Sequence, residues 1–165
     1  MAFGKIPRFS PSFSPAEAWI CTKHLIGAGE GPELVGEFEA TFAQTIGAKH
    51  GVMVPSARYG LYLLLQGLGL KEGDEVVIPG LTYFAIPAMV ELLGAKPVFA
   101  DIGLHTHVLD PAAFEAAITP STRAVIPTHL FGTPCDMDAI NAIATKHDIA
   151  VIEDCAQSTG ARYKG

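Results

Sequence analysis

Five short apolar runs, spaced by longer helical stretches, predict a three-layer α/β domain with a mainly parallel sheet. The runs cover residues 51–54, 75–78, 97–100, 123–126 and 149–152. They are mostly apolar, as strands covered on both faces by helices tend to be. The segments between them are long enough to cross back over a sheet, which parallel pairing requires. Polar or Gly/Pro punctuation separates the two kinds of segment.

In chain order, two helices come first, over residues 14–26 and 32–46, joined by the glycine-rich turn Gly27-Ala-Gly-Glu-Gly31. That turn follows a helix rather than a strand and lacks the final glycine spacing, so it is not a dinucleotide fingerprint. Residues 1–50 therefore read as an N-terminal helical arm, and residues 51–165 as the α/β domain. Within the domain, helices are expected over 56–69, 82–93, 111–118 and 137–147. Their starts carry plausible caps. Ser56 precedes an apolar run, Thr82 follows a loop, Asp110-Pro111 puts proline in a first turn, and Asp136 precedes the last helix.

A chain of 165 residues that is 49% apolar has the size and composition of one packed domain. Its 17 acidic residues outnumber 11 basic ones and are scattered, which argues against nucleic acid and against a polybasic membrane contact. The first residues hold no apolar core of signal-peptide length and no later run is long enough to span a bilayer, so a cytoplasmic location is expected. Cys21, Cys135 and Cys155 are too few and too widely spaced for a disulfide framework, and read as small buried hydrophobes. No metal site is expected: His105-Thr-His107 has no Cys or acidic partner at ligand spacing, and His129 reads as a hydrogen-bonded structural histidine.

Three strand ends carry candidate chemistry, since ligands of open α/β sheets collect outside the carboxyl ends of the strands. In Val151-Ile-Glu-Asp-Cys-Ala-Gln-Ser-Thr-Gly160 an apolar strand runs into acids and amides. Glu153 and Asp154 are neighbours and point to opposite sides of an extended chain, so only one faces the site. An aspartate there can keep a pyridinium nitrogen protonated; a helix cap or turn carboxylate is the alternative. In Val54-Pro-Ser-Ala-Arg-Tyr-Gly-Leu61 a helix start with Ser56 and Arg58 suits a phosphate, or is a simple cap. In Pro79-Gly-Leu-Thr-Tyr-Phe84, Tyr83 can lie against an aromatic ring, whereas Phe84 reads as core.

Together with the Gly73-Asp-Glu75 turn, the P-x-x-T-aromatic step at Pro79–Tyr83 and the H-L-x-G-x-x-x-D-M run that begins at His129, these segments carry a family likeness. From about Pro7 to Gly165 the chain resembles the DegT (DegT/DnrJ/StrS) family of pyridoxal-phosphate-dependent sugar aminotransferases. The resemblance implies the fold type I, aspartate-aminotransferase-like large domain, here truncated. It implies that Ser56, Ala57 and Arg58 form the phosphate-binding turn, although the family's usual serine-glycine-threonine is changed at Ala57 and Arg58. It further implies that Tyr83 stacks on the cofactor ring, Asp154 pairs with its nitrogen, and Gln157 lies near the ring and its hydroxyl. Thr159 stands where many members carry histidine.

The same resemblance implies an amino donor and a keto-sugar acceptor, commonly nucleotide-linked, and a homodimer. The family's Schiff-base lysine follows the aspartate by a few dozen residues, and none of the chain's seven lysines falls there. Catalytic competence of these 165 residues alone is therefore not expected. Two other functions fit the sequence: a family sugar dehydratase, and a non-catalytic fragment that binds cofactor or another chain.

Overall fold

The computed structural model describes residues 14–27, 31 and 33–164, and the chain divides into two compact units, Met1–Met53 and Val54–Gly165. In the first, helix α1 spans Pro15–Leu25 and α2 spans Glu33–Ile46. Helix α1 starts on a capping box: the Ser14 hydroxyl accepts from Glu17 N, and the Glu17 carboxylate accepts from Ser14 N. Those bonds hold the Glu17 carboxyl below its usual range. Helix α2 stacks Phe38 on Phe42, with ring centres 5.7 Å apart, and buries Ala43. Most of the predicted glycine turn, residues 28–30, lies outside the described residues, as does Pro32 at the expected start of α2.

Residues 51–54 do not form the expected first strand. Gly51 instead lies so close to α2 that a Cβ there would meet the Glu39 carbonyl oxygen at 2.5 Å, and Met53 N donates to Glu39 Oε1 at 2.6 Å. The helix, not a neighbouring strand, takes up this backbone.

The second unit holds a four-stranded parallel sheet of β1 (Glu75–Pro79), β2 (Lys96–Ala100), β3 (Thr122–Val125) and β4 (Ala150–Val151), in the order β2-β1-β3-β4. Helices α3 (Ala57–Gly67), α4 (Ala85–Leu92), α5 (Pro111–Ala116) and α6 (Met137–Lys146) complete it. Alternating strand residues build two cores. Val76, Ile78, Ala124 and Ile126 pack with Leu65 of α3 and Ile86 and Val90 of α4. Val77, Ala100 and Val125 pack with Phe114 of α5 and Met137, Ile140 and Ala144 of α6. Helices on both faces of one sheet give the three layers read from the sequence, and strands covered twice must be apolar on both sides.

Three expected caps form: Ser56 Oγ accepts from Tyr59 N, Asp110 Oδ1 from Ala113 N and Asp136 Oδ1 from Ala139 N. Thr82 does not cap. Helix α4 begins at Ala85 behind Phe84, because Gly80 N still pairs with Ala100 O and the Thr82 hydroxyl is engaged elsewhere. The Gly73-Asp74 turn is structural: Gly73 has φ +88°, and the buried Asp74 carboxylate accepts from Lys71 N and Arg123 Nε.

Candidate functional site

Neighbouring strands β1 and β3 send their chains to opposite faces of the sheet. Helix α4 after β1 packs in one core and α6 after β3 in the other. Such a reversal opens a crevice at the carboxyl ends of the strands, where open α/β sheets take ligands. Across it, Thr82 Oγ1 and Thr128 Oγ1 lie 2.8 Å apart, joining the residue before Tyr83 to the residue after Pro127. Thr128 in turn forms a parallel bridge with Asp154 beyond β4.

Asp154 is locked through its backbone. Its N–H donates to Pro127 O at 2.9 Å, and its carbonyl accepts from His129 N at 3.1 Å. Its side chain closes a small turn, with Oδ1 accepting from Ala156 N at 3.0 Å. Oδ2 has no hydrogen-bond partner among the described residues. The carboxylate is half-buried.

Glu153 turns the other way, as expected for an extended pair, and its Oε2 lies 3.0 Å from His129 Nε2. His129 is buried, and its Nδ1 accepts from Cys135 N at 3.0 Å. A ring nitrogen that accepts an amide N–H carries no proton, so the neutral ring's proton sits on Nε2 and is donated to Glu153. The same hydrogen bonds bear on a second cluster. Donor atoms of His129, Glu153 and Cys155 lie within 4.8 Å of one another, the spacing of a metal site. A metal needs a free lone pair on Nε2 and a donated proton on Nδ1, and the bond from Cys135 N fixes the opposite tautomer. Burial also pushes the Cys155 thiol up.

Gln157 is exposed, and its Oε1 accepts from Phe131 N at 3.0 Å. That bond orients the amide and leaves its NH2 group outward. The acceptor turn, Leu130–Gly132, is unusual in placing Phe131 at φ +55°. The Tyr83 ring is about half exposed and lies 4.5 Å from that of Phe84 at a 51° tilt. Phe84, expected in the core, is 70% exposed, since α4 turns Ala85 and Ile86 inward instead.

Ser56, Ala57 and Arg58 stand at the start of α3, which packs beside α4. Ser56 and Arg58 line an open cavity of about 360 Å³ with Tyr59, Tyr62, Met89 and Leu92. The larger cavity, about 540 Å³ beside α2, belongs to the first unit and carries none of the candidate residues. The structure thus ties Tyr83's segment to Asp154's through Thr82 and Thr128, and Gln157 to the Leu130–Gly132 turn, while Ser56–Arg58 stands at the start of α3. Sequence inspection missed the Thr82–Thr128 and His129–Glu153 links. Their only signal is a polar residue just past the end of adjacent strands.

A family profile described as the DegT/DnrJ/EryC1/StrS aminotransferase family matches residues 23–165. The chain belongs to this family. The UDP-2-acetamido-2-deoxy-3-oxo-D-glucuronate aminotransferase of Pseudomonas aeruginosa is 52% identical over 135 residues, covering 82% of this chain and 37% of that protein. The chain therefore spans little more than a third of this curated relative. Among solved structures, the aminotransferase from Psychrobacter cryohalolentis is 38% identical with a TM-score of 0.89, over 95% of this chain and 41% of that one. S. venezuelae DesV is 42% identical at 0.84, over 91% and 41%. E. coli GDP-4-keto-6-deoxy-D-mannose-3-dehydratase, which has bound hydrated PLP, is 30% identical at 0.84, over 94% and 42%. The chain carries the fold type I large-domain architecture of these family members, and the match includes all four strands and every strand end described above.

Proposed function

We propose that these residues form the cofactor-facing part of a pyridoxal-phosphate-dependent aminotransferase that acts on a nucleotide-linked keto-sugar. The observation that carries this reading is the Asp154 carboxylate, held just beyond β4 beside Thr128 with one oxygen bonded to Ala156 N and the other without a partner among the described residues. The donor set fits the cofactor. Pyridoxal phosphate supplies an electron sink and an amino-group carrier, provided that its ring nitrogen stays protonated.

Asp154 Oδ2 holds that proton by a charge-assisted hydrogen bond. Tyr83 offers a half-exposed ring face for stacking. Gln157, whose carbonyl oxygen is taken by Phe131 N, presents its NH2 to the ring hydroxyl. At α3, the Ser56 hydroxyl accepts from Tyr59 N and keeps its own proton for a phosphate oxygen. Ala57 contributes a backbone N–H, and Arg58 is exposed and free to pair with the anion. Lys164 is engaged with Asp138 and Tyr163, so it is not assigned to covalent chemistry. On this reading the 165 residues bind cofactor but do not complete turnover by themselves.

The closer likeness to a UDP-sugar aminotransferase than to the dehydratase favours amino transfer, with a small amino donor and a place in nucleotide-sugar or polysaccharide synthesis. A homodimer belongs to the same reading and is supported by apolar side chains left exposed on α1 and α2, among them Trp19, Leu25, Phe38 and Ile46. So does a cytoplasmic location, which the three free cysteines fit. No helix of the described residues is long and apolar enough to cross a membrane.

The test is a titration of the chain with pyridoxal phosphate, read by absorbance, by borohydride reduction with peptide mapping, and against Asp154→Ala. Saturable binding that weakens in the variant, with no single reduced lysine, is the expected result. Absence of binding refutes the cofactor reading, and one cleanly labelled lysine refutes the statement about turnover.

A further inference from the structure

The Glu153-Asp154 pair puts two carboxylates side by side where the cofactor needs one. The main chain fixes Asp154 between Pro127 O and His129 N, and for an L residue in an extended chain those two bonds set the face its side chain takes, with Glu153 on the other face, as long as the pairing holds. His129 contributes to both placements. Its N–H holds the Asp154 carbonyl, and its ring binds the Glu153 carboxylate at 3.0 Å. The ring cannot swing away, because it is buried and its Nδ1 is held by Cys135 N. The Cys135 Sγ returns to Thr128 O at 3.4 Å, so the strap is anchored on the residue that bridges Asp154.

We propose that His129 is a positioning residue for Asp154: its Nε2–H tautomer ties Glu153 to the end of β3, leaving Asp154 as the only carboxylate of the pair that faces a pyridine nitrogen. This rests on the cofactor assignment above and adds a role for two residues outside it. Consecutive side chains of an extended segment emerge on opposite sides, so holding Glu153 reinforces the rotation that the backbone bonds give the segment carrying Asp154. Removing the strap leaves the two backbone bonds alone to hold the segment, so it twists more freely and misaligns a hydrogen bond whose strength depends on its angle. The imidazole suits this task because it accepts at one edge and donates at the other. A glutamine amide retains one acceptor and one donor, whereas leucine retains neither.

The probe is pyridoxamine 5′-phosphate, whose binding needs no covalent bond to the protein. Affinity, the pH profile of the bound ring's absorbance and the melting temperature are compared for the full chain and for His129→Leu, His129→Gln, Glu153→Ala and Asp154→Asn. His129→Leu is expected to weaken binding roughly tenfold, in keeping with loss of two hydrogen bonds. It is also expected to move the pH profile toward that of Asp154→Asn, while His129→Gln recovers much of both. A folded His129→Leu protein with unaltered affinity and pH profile, alongside an impaired Asp154→Asn, overturns the positioning role alone. If Asp154→Asn also binds unaltered, the cofactor assignment falls and the proposal with it. Should His129→Leu fail to fold, Glu153→Ala decides, because it cuts the same strap from its half-exposed end. An unchanged pH profile there overturns the proposal, and a shifted one supports it.

Discussion

The hydroxyls of Thr82 and Thr128 lie 2.8 Å apart although 46 residues separate them in the chain. Thr128 is buried at the end of β3 and bridges Asp154, while Thr82 precedes Tyr83. This one bond couples the segment offered for ring stacking to the segment offered for the ring nitrogen. Thr128→Val keeps the shape and removes the hydroxyl, leaving half-exposed Thr82 free to bond water. The expected cost is about 1 kcal/mol, seen as a melting temperature lower by about 3 °C. A melting temperature unchanged within error would show that the pair contributes nothing.

Ser56→Ala separates capping from anion binding. Losing the bond to Tyr59 N is expected to cost about 1 kcal/mol of stability, because α3 then begins with an unpaired amide. If the turn also grips phosphate, inorganic phosphate should stabilise the parent chain and protect Ser56→Ala measurably less. Equal protection of both proteins in a thermal-shift series would restrict Ser56 to its structural role.

Thiol reactivity should divide the cysteines. Cys21 and Cys155 are exposed and Cys135 is fully buried, where burial pushes its thiol up to about 11. Native alkylation near neutral pH is expected to leave Cys135 unmodified until denaturant is added, with Cys155 slowed because burial raises its thiol as well. Mass mapping of the labelled peptides checks the order, and early labelling of Cys135 would contradict the packing around β3.

Acid stability carries a signature of Glu75. The Thr119 hydroxyl, followed by the Lys96 ammonium at 3.0 Å, holds its carboxyl below the usual range. A group depressed in the folded state contributes stability above its unfolded value, and that contribution is lost as pH falls through the folded value. The parent chain should therefore out-melt Glu75→Gln at neutral pH, and the gap should close as pH drops from about 5 to about 3. A gap that is constant or widens in acid would reverse the sign and disprove the assignment.

Much of the α/β domain was legible because its signals are local. The apolar runs at 75–78, 97–100 and 123–126 became β1, β2 and β3 with boundaries moved by one residue or less. Ser56, Asp110 and Asp136 became caps because an oxygen three residues before an unpaired amide needs nothing from the rest of the chain. The divergence of Glu153 from Asp154 follows from strand geometry alone, and their partners, His129 Nε2 and Ala156 N, are different groups.

The departures turn on tertiary context, several of them on partners far away in sequence. Residues 51–54 have strand composition, but Gly51 and Met53 face α2 and Glu39 rather than a neighbouring strand. Thr82 has the right identity for a cap, yet Thr128 takes its hydroxyl. Phe84 looked like core and Cys21 and Cys155 like small buried hydrophobes, and all three are exposed, because burial depends on which face of a helix or turn meets the core.

The sequence by itself determined the parallel α/β architecture, the polar strand ends after β1 and β4, the helix start at Ser56 and, through its motifs, the family. Tertiary structure alone decided which oxygen of Asp154 stays free, which tautomer His129 adopts and which end of Gln157 faces out. Composition sets where apolar surface must be buried, but the direction of a hydrogen bond is set only when both partners arrive, and here they come from the loops after β3 and β4, 24 and 26 residues apart in the chain.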